Sequence, residues 1–182
     1  MKVLIVVDMQ NDFISGTLGT DEAQGIVSKV VNRIADSRGE LILFTQDTHG
    51  ADYLGTPEGR RLPVLHCIEG TAGWEIHHDV MLAWRAHADT IIDTTLKYNT
   101  FKKPIFGSSE LVCYLKTREN EIESIEILGL CTDICVVSNA IMIKNTLPDI
   151  PIALNAACCA GVTAQSHVEA INTMRMCQID VI

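Results

Sequence analysis

Four short apolar runs, Val3–Val7, Leu41–Phe44, Ile125–Leu128 and Pro151–Leu154, alternate along the chain with longer stretches of helical periodicity. Their length and β-branched content predict strands, and the unbroken apolarity of Val3–Val7 predicts a strand buried on both faces. Ile26, Val27, Val30, Val31 and Ile34 fall on one helical stripe, Leu111 and Leu115 mark a second, and Val136 to Ile143 a third. Thr163 to Met174 makes a fourth, with Thr163 as its N-cap. Strands alternating with helices predict an α/β fold, a parallel sheet covered by helices on both faces. Between residues 88 and 103 the pattern is divided, with one strand near Thr90–Ile92 competing with another near Asn99 to Lys102. No repeat, low-complexity tract or linker interrupts the 182 residues, so a single domain over 1–182 is expected.

Charge narrows the partners. There are 14 Lys+Arg against 23 Asp+Glu, a net charge of −9, and no basic run. Such a chain has no electrostatic footprint for nucleic acid or anionic lipid. Val3–Val7 is far shorter than the roughly 20 residues of a membrane span and lacks the marks of a signal peptide. The expectation is a cytoplasmic protein, assembled as a homo-oligomer and acting on a small molecule. The 7 cysteines are scattered without a paired framework, so they read as reduced, mostly small core residues. Cys158 and Cys159, placed after the fourth strand, read as packing.

Residues 46–75, rich in Gly, Pro, Asp and His, form a long irregular segment of the kind that carries function. Within it lies Asp47-Thr-His49, followed by Glu58 and His66. A carboxylate and an imidazole two apart at a strand end project to one side, and with a second imidazole they make a recurrent set for Zn, Mn or Fe. Asp8 stands directly after the first strand, where open parallel sheets bind ligands; a turn cap is the plainer alternative. Cys131-Thr-Asp-Ile-Cys135 follows the third run and precedes a helical pattern. There the helix dipole favours a thiolate, and backbone amides can receive an oxyanion. His77, His78, His87 and His167 read as solvated.

Together these segments resemble the cysteine hydrolases of the isochorismatase-like superfamily, in the nicotinamidase branch. The likeness is carried by Val6-Val-Asp8-Met-Gln-Asn-Asp12-Phe13, Thr45-Gln-Asp47-Thr-His49, His66-Cys67 with Gly70-Thr71, Gly129-Leu-Cys-Thr-Asp-Ile-Cys135-Val136, and Ala160-Gly-Val162. It implies a six-stranded parallel, Rossmann-like α/β fold and an aspartate, lysine and cysteine triad. Asp8 would be the acid and base, Cys135 the nucleophile, and the amides of Cys131 and Cys135 the oxyanion donors. A cis peptide would fall at Leu130–Cys131. Asp47, His49 and His66 match the metal ligands, with Glu58 a further acidic ligand, and the metal would hold the pyridine nitrogen of nicotinamide.

Two departures bear on the substrate. Where nicotinamidases carry Trp-Pro before the second metal histidine, this chain has Leu62-Pro63, and Ile134 replaces an aromatic or histidine before the nucleophile. Stacking on a pyridine then falls to Phe13 and Phe106. Hydrolysis of an N-carbamoyl or ureido compound is the rival within the class, and a catalytically silent ligand-binding subunit the rival outside it. Cys135 argues against vinyl ether cleavage, which needs no nucleophilic thiol. For the lysine, Lys103 with Phe106 and Ser108 fits the order of the resemblance, and Lys97 remains the competing position.

Overall fold

The computed structural model describes residues 1–86 and 99–182. His87, Lys97 and a strand at Thr90–Ile92 lie outside the described residues. Within them, six strands form one parallel sheet: β1 (Lys2–Val7), β2 (Leu41–Asp47), β3 (Thr100–Lys103), β4 (Ser124–Leu130), β5 (Ile152–Ala160) and β6 (Asp180–Val181). Their spatial order is β3-β2-β1-β4-β5-β6. The β1 run is buried from Val3 to Val7, as an apolar strand covered on both sides must be.

Three boundaries differ from the sequence reading. β2 runs on to Asp47, β4 to Leu130 and β5 to Ala160. Cys158 and Cys159 therefore lie inside β5 instead of after it, and both are buried there. The two-residue β6 carries too little pattern to be read beforehand.

The described helices are α1 (Asn11–Ile14), α2 (Asp21–Ala35), α3 (Pro57–Arg61), α4 (His78–Ala86), α5 (Ser109–Thr117), α6 (Val137–Thr146) and α7 (Ala164–Met176). Thr20, Thr56, Ser108 and Thr163 cap α2, α3, α5 and α7 through their hydroxyls, each accepting an N–H of the first turn. Packing divides the longer helices into two groups: α2 lies on α4, whereas α5, α6 and α7 form a contiguous row. The chain winds from β1 out to β3 and then from β4 out to β6 in the opposite direction. With crossovers of one hand, that reversal puts the two groups on opposite faces. Among the described residues, no helix is long and apolar enough to cross a membrane.

The reversal falls between β1 and β4, and it opens the crevice in which such sheets bind ligands. Gly129 makes the close approach there possible. Its φ is +120°, and a Cβ would stand 2.1 Å from the Val7 carbonyl oxygen, so any other residue would pry the two strand ends apart.

Candidate active site

Four strand ends deliver the polar groups of the crevice. Asp8 leaves β1 with φ +45°, in the sparsely populated left-handed region. Its Oδ1 accepts a hydrogen bond from the Thr45 hydroxyl at 2.6 Å, and its N–H donates to Thr45 Oγ1 at 3.2 Å. The Asp8 carboxylate thus meets a hydroxyl and the Lys103 ammonium, and not the backbone amide that the plainer alternative, a turn cap, would use. Lys103 ends β3, in register with Asp47 at the end of β2. Cys135 belongs to a π-helical turn, Thr132–Val136, that links β4 to α6. The turn closes where the N–H groups of Ile134 and Val136 both donate to the Cys131 carbonyl at 3.1 Å. The Leu130–Cys131 peptide that enters it is cis.

The Lys103 side chain is only 1% exposed, and its Nζ is the hub of the site. It lies 2.6 Å from Asp8 Oδ2, 3.2 Å from Asp47 Oδ1 and 3.4 Å from Cys135 Sγ. One buried ammonium thus faces two carboxylates and a thiol. Those partners outweigh burial and hold Lys103 charged.

The carboxylates are pushed apart. Burial raises Asp8 above the usual carboxylate range, with the Lys103 ammonium opposing and Asp47 adding. At Asp47 burial acts the same way but is overcome by His49 and Lys103, leaving it lowered. Two acids so separated suit different tasks, and the raised one is the better proton acceptor.

Cys135 corrects the sequence reading. A thiol at a helix start was expected to be depressed; instead it is raised well above its ordinary value, by burial first and then by the Asp8 charge. Ionising it would place a third negative group around a single ammonium. The thiol therefore rests protonated, and its proton must pass to a neighbour before attack.

Beside this hub, Asp47, His49 and His66 bring one ligand atom each to within 4.8 Å of one another, all three buried. A parallel bridge between His49 and Ile68 stitches the two loops, with His49 N–H donating to the Cys67 carbonyl at 2.9 Å. Asp12 Oδ2 accepts the Cys67 N–H at 2.8 Å and ties the second loop to α1. The His66 ring bonds the Val64 carbonyl at 2.8 Å through Nδ1, which turns Nε2 toward Asp47 Oδ2, 3.7 Å away. His49 Nε2 is buried without a hydrogen bond, although it lies 2.9 Å from Asp47 Oδ2. An orphaned imidazole nitrogen beside a carboxylate and a second imidazole fits a divalent transition metal. Glu58 stands just outside, with Oε1 3.9 Å from His49 Nε2.

A cavity of about 260 Å³ runs between Cys135 and the Asp47, Glu58 and His66 end. Phe13, Leu62, Phe106 and Ile134 line it, together with Cys131. Leu18, Thr20 and Ala23 also line it and carried no signal in the sequence, and Val162 lines it from the Ala160-Gly-Val162 segment. Tyr53 was missed as well: it is fully buried, with its ring 4.5 Å from that of His49 and 4.9 Å from that of His66. His167, read as solvated, is half-buried and bonded to Thr132.

The Isochorismatase domain family matches residues 2–182 of this sequence. The chain belongs to that family. Among the proteins similar to it is the nicotinamidase/pyrazinamidase of Mycobacterium tuberculosis, 25% identical over 188 residues that span 100% of this chain and 98% of the relative. The crystal structure of a nicotinamidase/pyrazinamidase from Bacillus subtilis superposes with a TM-score of 0.82 at 26% identity, covering 99% of this chain and 98% of that one. A pyrazinamidase of Pyrococcus horikoshii, solved in complex with zinc, gives 0.78 at 25%, covering 100% and 98%.

Proposed function

We propose that this chain hydrolyses the carboxamide of a small planar ring amide, nicotinamide first among them, through a thioester on Cys135. The observation that carries the reading is the buried ammonium of Lys103, 2.6 Å from Asp8 Oδ2 and 3.4 Å from Cys135 Sγ. A nucleophile, a base and a cation between them, at the end of a largely apolar cavity, are the parts that covalent amide hydrolysis needs.

Asp8 takes the thiol proton, and the sulfur attacks the carbonyl carbon. The amides of Cys131 and Cys135 receive the oxyanion of the tetrahedral intermediate. Asp8 returns its proton to the amide nitrogen, the C–N bond breaks and ammonia leaves. A water then gives a proton to Asp8 and attacks the thioester. The C–S bond breaks, the carboxylic acid departs, and Cys135 recovers its proton. Throughout, Lys103 offsets the charge that passes between Asp8 and the sulfur.

Asp47, His49 and His66, with Glu58 alongside, would hold a divalent transition metal, zinc before manganese or iron, which when bound supplies a Lewis-acid seat for a ring nitrogen's lone pair. Phe13, tilted against His66 with ring centroids 5.7 Å apart, and Phe106 flank the ring, and Leu62 and Ile134 complete its apolar surroundings.

Two measurements test this reading. In an ammonia-release panel, nicotinamide and pyrazinamide, which keep the ring nitrogen, should be hydrolysed, and benzamide should be slower by roughly 10-fold or more, since a buried group left unpaired costs at least that much. A second reading, N-carbamoyl or ureido hydrolysis, draws on Leu62, a half-exposed aliphatic wall where stacking would want an aromatic. Turnover of such a compound tenfold or more above nicotinamide would establish it and sink the first.

Elemental analysis after chelator-free purification should find about one transition metal per chain. His66→Ala should lose it and raise KM for nicotinamide on the order of 10–100-fold, with a smaller change in kcat, because the metal's task is orientation. Metal-free protein with full activity would refute the assignment.

A further inference from the structure

The turn that carries Cys131 and Cys135 is tied at two adjacent residues to the start of α7. Both oxygens of the Asp133 carboxylate accept the Val162 N–H, each at 3.1 Å, and Oδ2 also accepts the Ser166 hydroxyl. Next to it Thr132, with no exposed surface, bonds His167 Nδ1 at 2.8 Å through its hydroxyl. Gly161 sits so close beneath His167 that a Cβ would lie 2.9 Å from the His167 Cβ. Gly161 and Val162 are themselves part of the cavity wall.

The helix end does not require these ties. Thr163 and Ser166 already form a reciprocal capping box at the start of α7. The Asp133 and Thr132 contacts therefore serve the turn: Asn139 and Ser138 of α6 hold its far end by donating to the Cys135 and Ile134 carbonyls at 2.8 and 2.6 Å, and the ties to α7 hold the end next to Cys131.

We propose that Asp133 and His167 are positioning residues for the oxyanion: they clamp the turn Thr132–Val136 to α7 and so fix how Cys131 and Cys135 are presented to the cavity. The inference rests on the reading of Cys135 as nucleophile. Oxyanion donors act only when they stand within hydrogen-bond reach of an oxygen that moves as the tetrahedral centre forms, and a shift of ~1 Å costs about 10²-fold. The nucleophile's reactivity toward a saturated carbon involves no such oxygen. A clamp on the turn should thus affect acylation and spare alkylation.

The test compares two reactions of Cys135 in the intact protein, with Cys135→Ala as the background. With iodoacetamide an S–C bond forms, iodide leaves and the thiol proton passes to Asp8, so no oxyanion develops. With p-nitrophenyl acetate the sulfur adds to the carbonyl, the tetrahedral oxyanion collapses, and the C–O bond breaks to release p-nitrophenolate. The acetyl group stays on sulfur, and Asp8 again takes the proton. Asp133→Ala should slow p-nitrophenolate release and kcat on nicotinamide by about 10²-fold, with alkylation within about twofold of wild type. Asp133→Asn, which keeps an acceptor for the Val162 N–H, should recover most of the loss. His167→Ala should lose roughly 3–10-fold in acylation alone, a weaker tie being removed.

Should Asp133→Ala fail to fold, His167→Ala decides on the same ratio of acylation to alkylation. Acylation at wild-type rate in His167→Ala and in any folded Asp133→Ala, or acylation and alkylation falling in parallel, overturns the proposal. A wild-type protein acylated by the ester but releasing no ammonia from nicotinamide sinks the substrate assignment and leaves the clamp to be judged on the ester ratio.

Discussion

Cys135→Ala should abolish ammonia release from nicotinamide, by on the order of 10⁴-fold or more in kcat, as losses of covalent nucleophiles do. The fold should persist. Cys135 is buried in a turn closed by backbone bonds to the Cys131 carbonyl, so deleting one sulfur atom opens a small void worth about 1 kcal/mol. Cys158→Ala and Cys159→Ala give the contrast. Both side chains lie in β5, 5% exposed, and neither lines the cavity beside Cys135. Each should lower the urea midpoint by a comparable amount and leave kcat unchanged. Circular dichroism together with an ammonia assay separates the cases. Ammonia released by Cys135→Ala at the wild-type rate would refute the covalent route.

That contrast also measures what the sequence could convey. The apolar runs at Val3, Leu41, Ile125 and Pro151 gave away four strands because a parallel strand buried on both faces has no polar alternation to disguise it. Asp47 and His49 were legible as a pair because a strand's two-residue period puts both on one side. The approach of Lys103 to Asp8 could be named only through the family resemblance, with Lys97 competing, and not from the local pattern. It depends on the register of β3 beside β2 and on the depth to which a lysine is buried, and neither quantity leaves a periodic trace. Tyr53 beneath the two histidines, Thr45 on Asp8 and His167 on Thr132 are likewise meetings of residues 37 or fewer positions apart that no local pattern encodes. The cysteine was misjudged for a related reason. A helix start can be read from sequence, whereas full burial next to a carboxylate cannot, and at Cys135 burial is the larger effect.

Lys103→Met should be the second most damaging change, and its signature is pH-dependent. Lys103 has almost no exposed surface and is shared between Asp8 and Asp47. Its loss leaves the buried Asp8 without a counter-ion and Asp47 with His49 alone, and an uncompensated buried charge costs about 3–5 kcal/mol; methionine keeps most of the volume so that the protein can be studied. Turnover should fall on the order of 10²–10³-fold, the usual scale for removing a preorganised charge from a reacting centre. Alkylation of Cys135 by iodoacetamide should slow with it, because the forming thiolate loses its cation. In the wild type, burial raises Asp8 and Lys103 partly offsets the rise. Since Asp8 must be ionised to accept the thiol proton, kcat/KM should fail as pH drops through a value above 3.8, the ordinary position of an aspartate. Without the ammonium the offset is gone, Asp8 rises further, and the acidic limb of the profile moves to higher pH. Lys102→Met is the control: Lys102 is half-exposed, ion-paired to Glu69 and stacked over Trp74, so its replacement should move neither kcat nor the limb. A Lys103→Met protein with wild-type turnover and an unshifted acidic limb would show that the cation between Asp8 and Cys135 serves the fold and not the proton transfer.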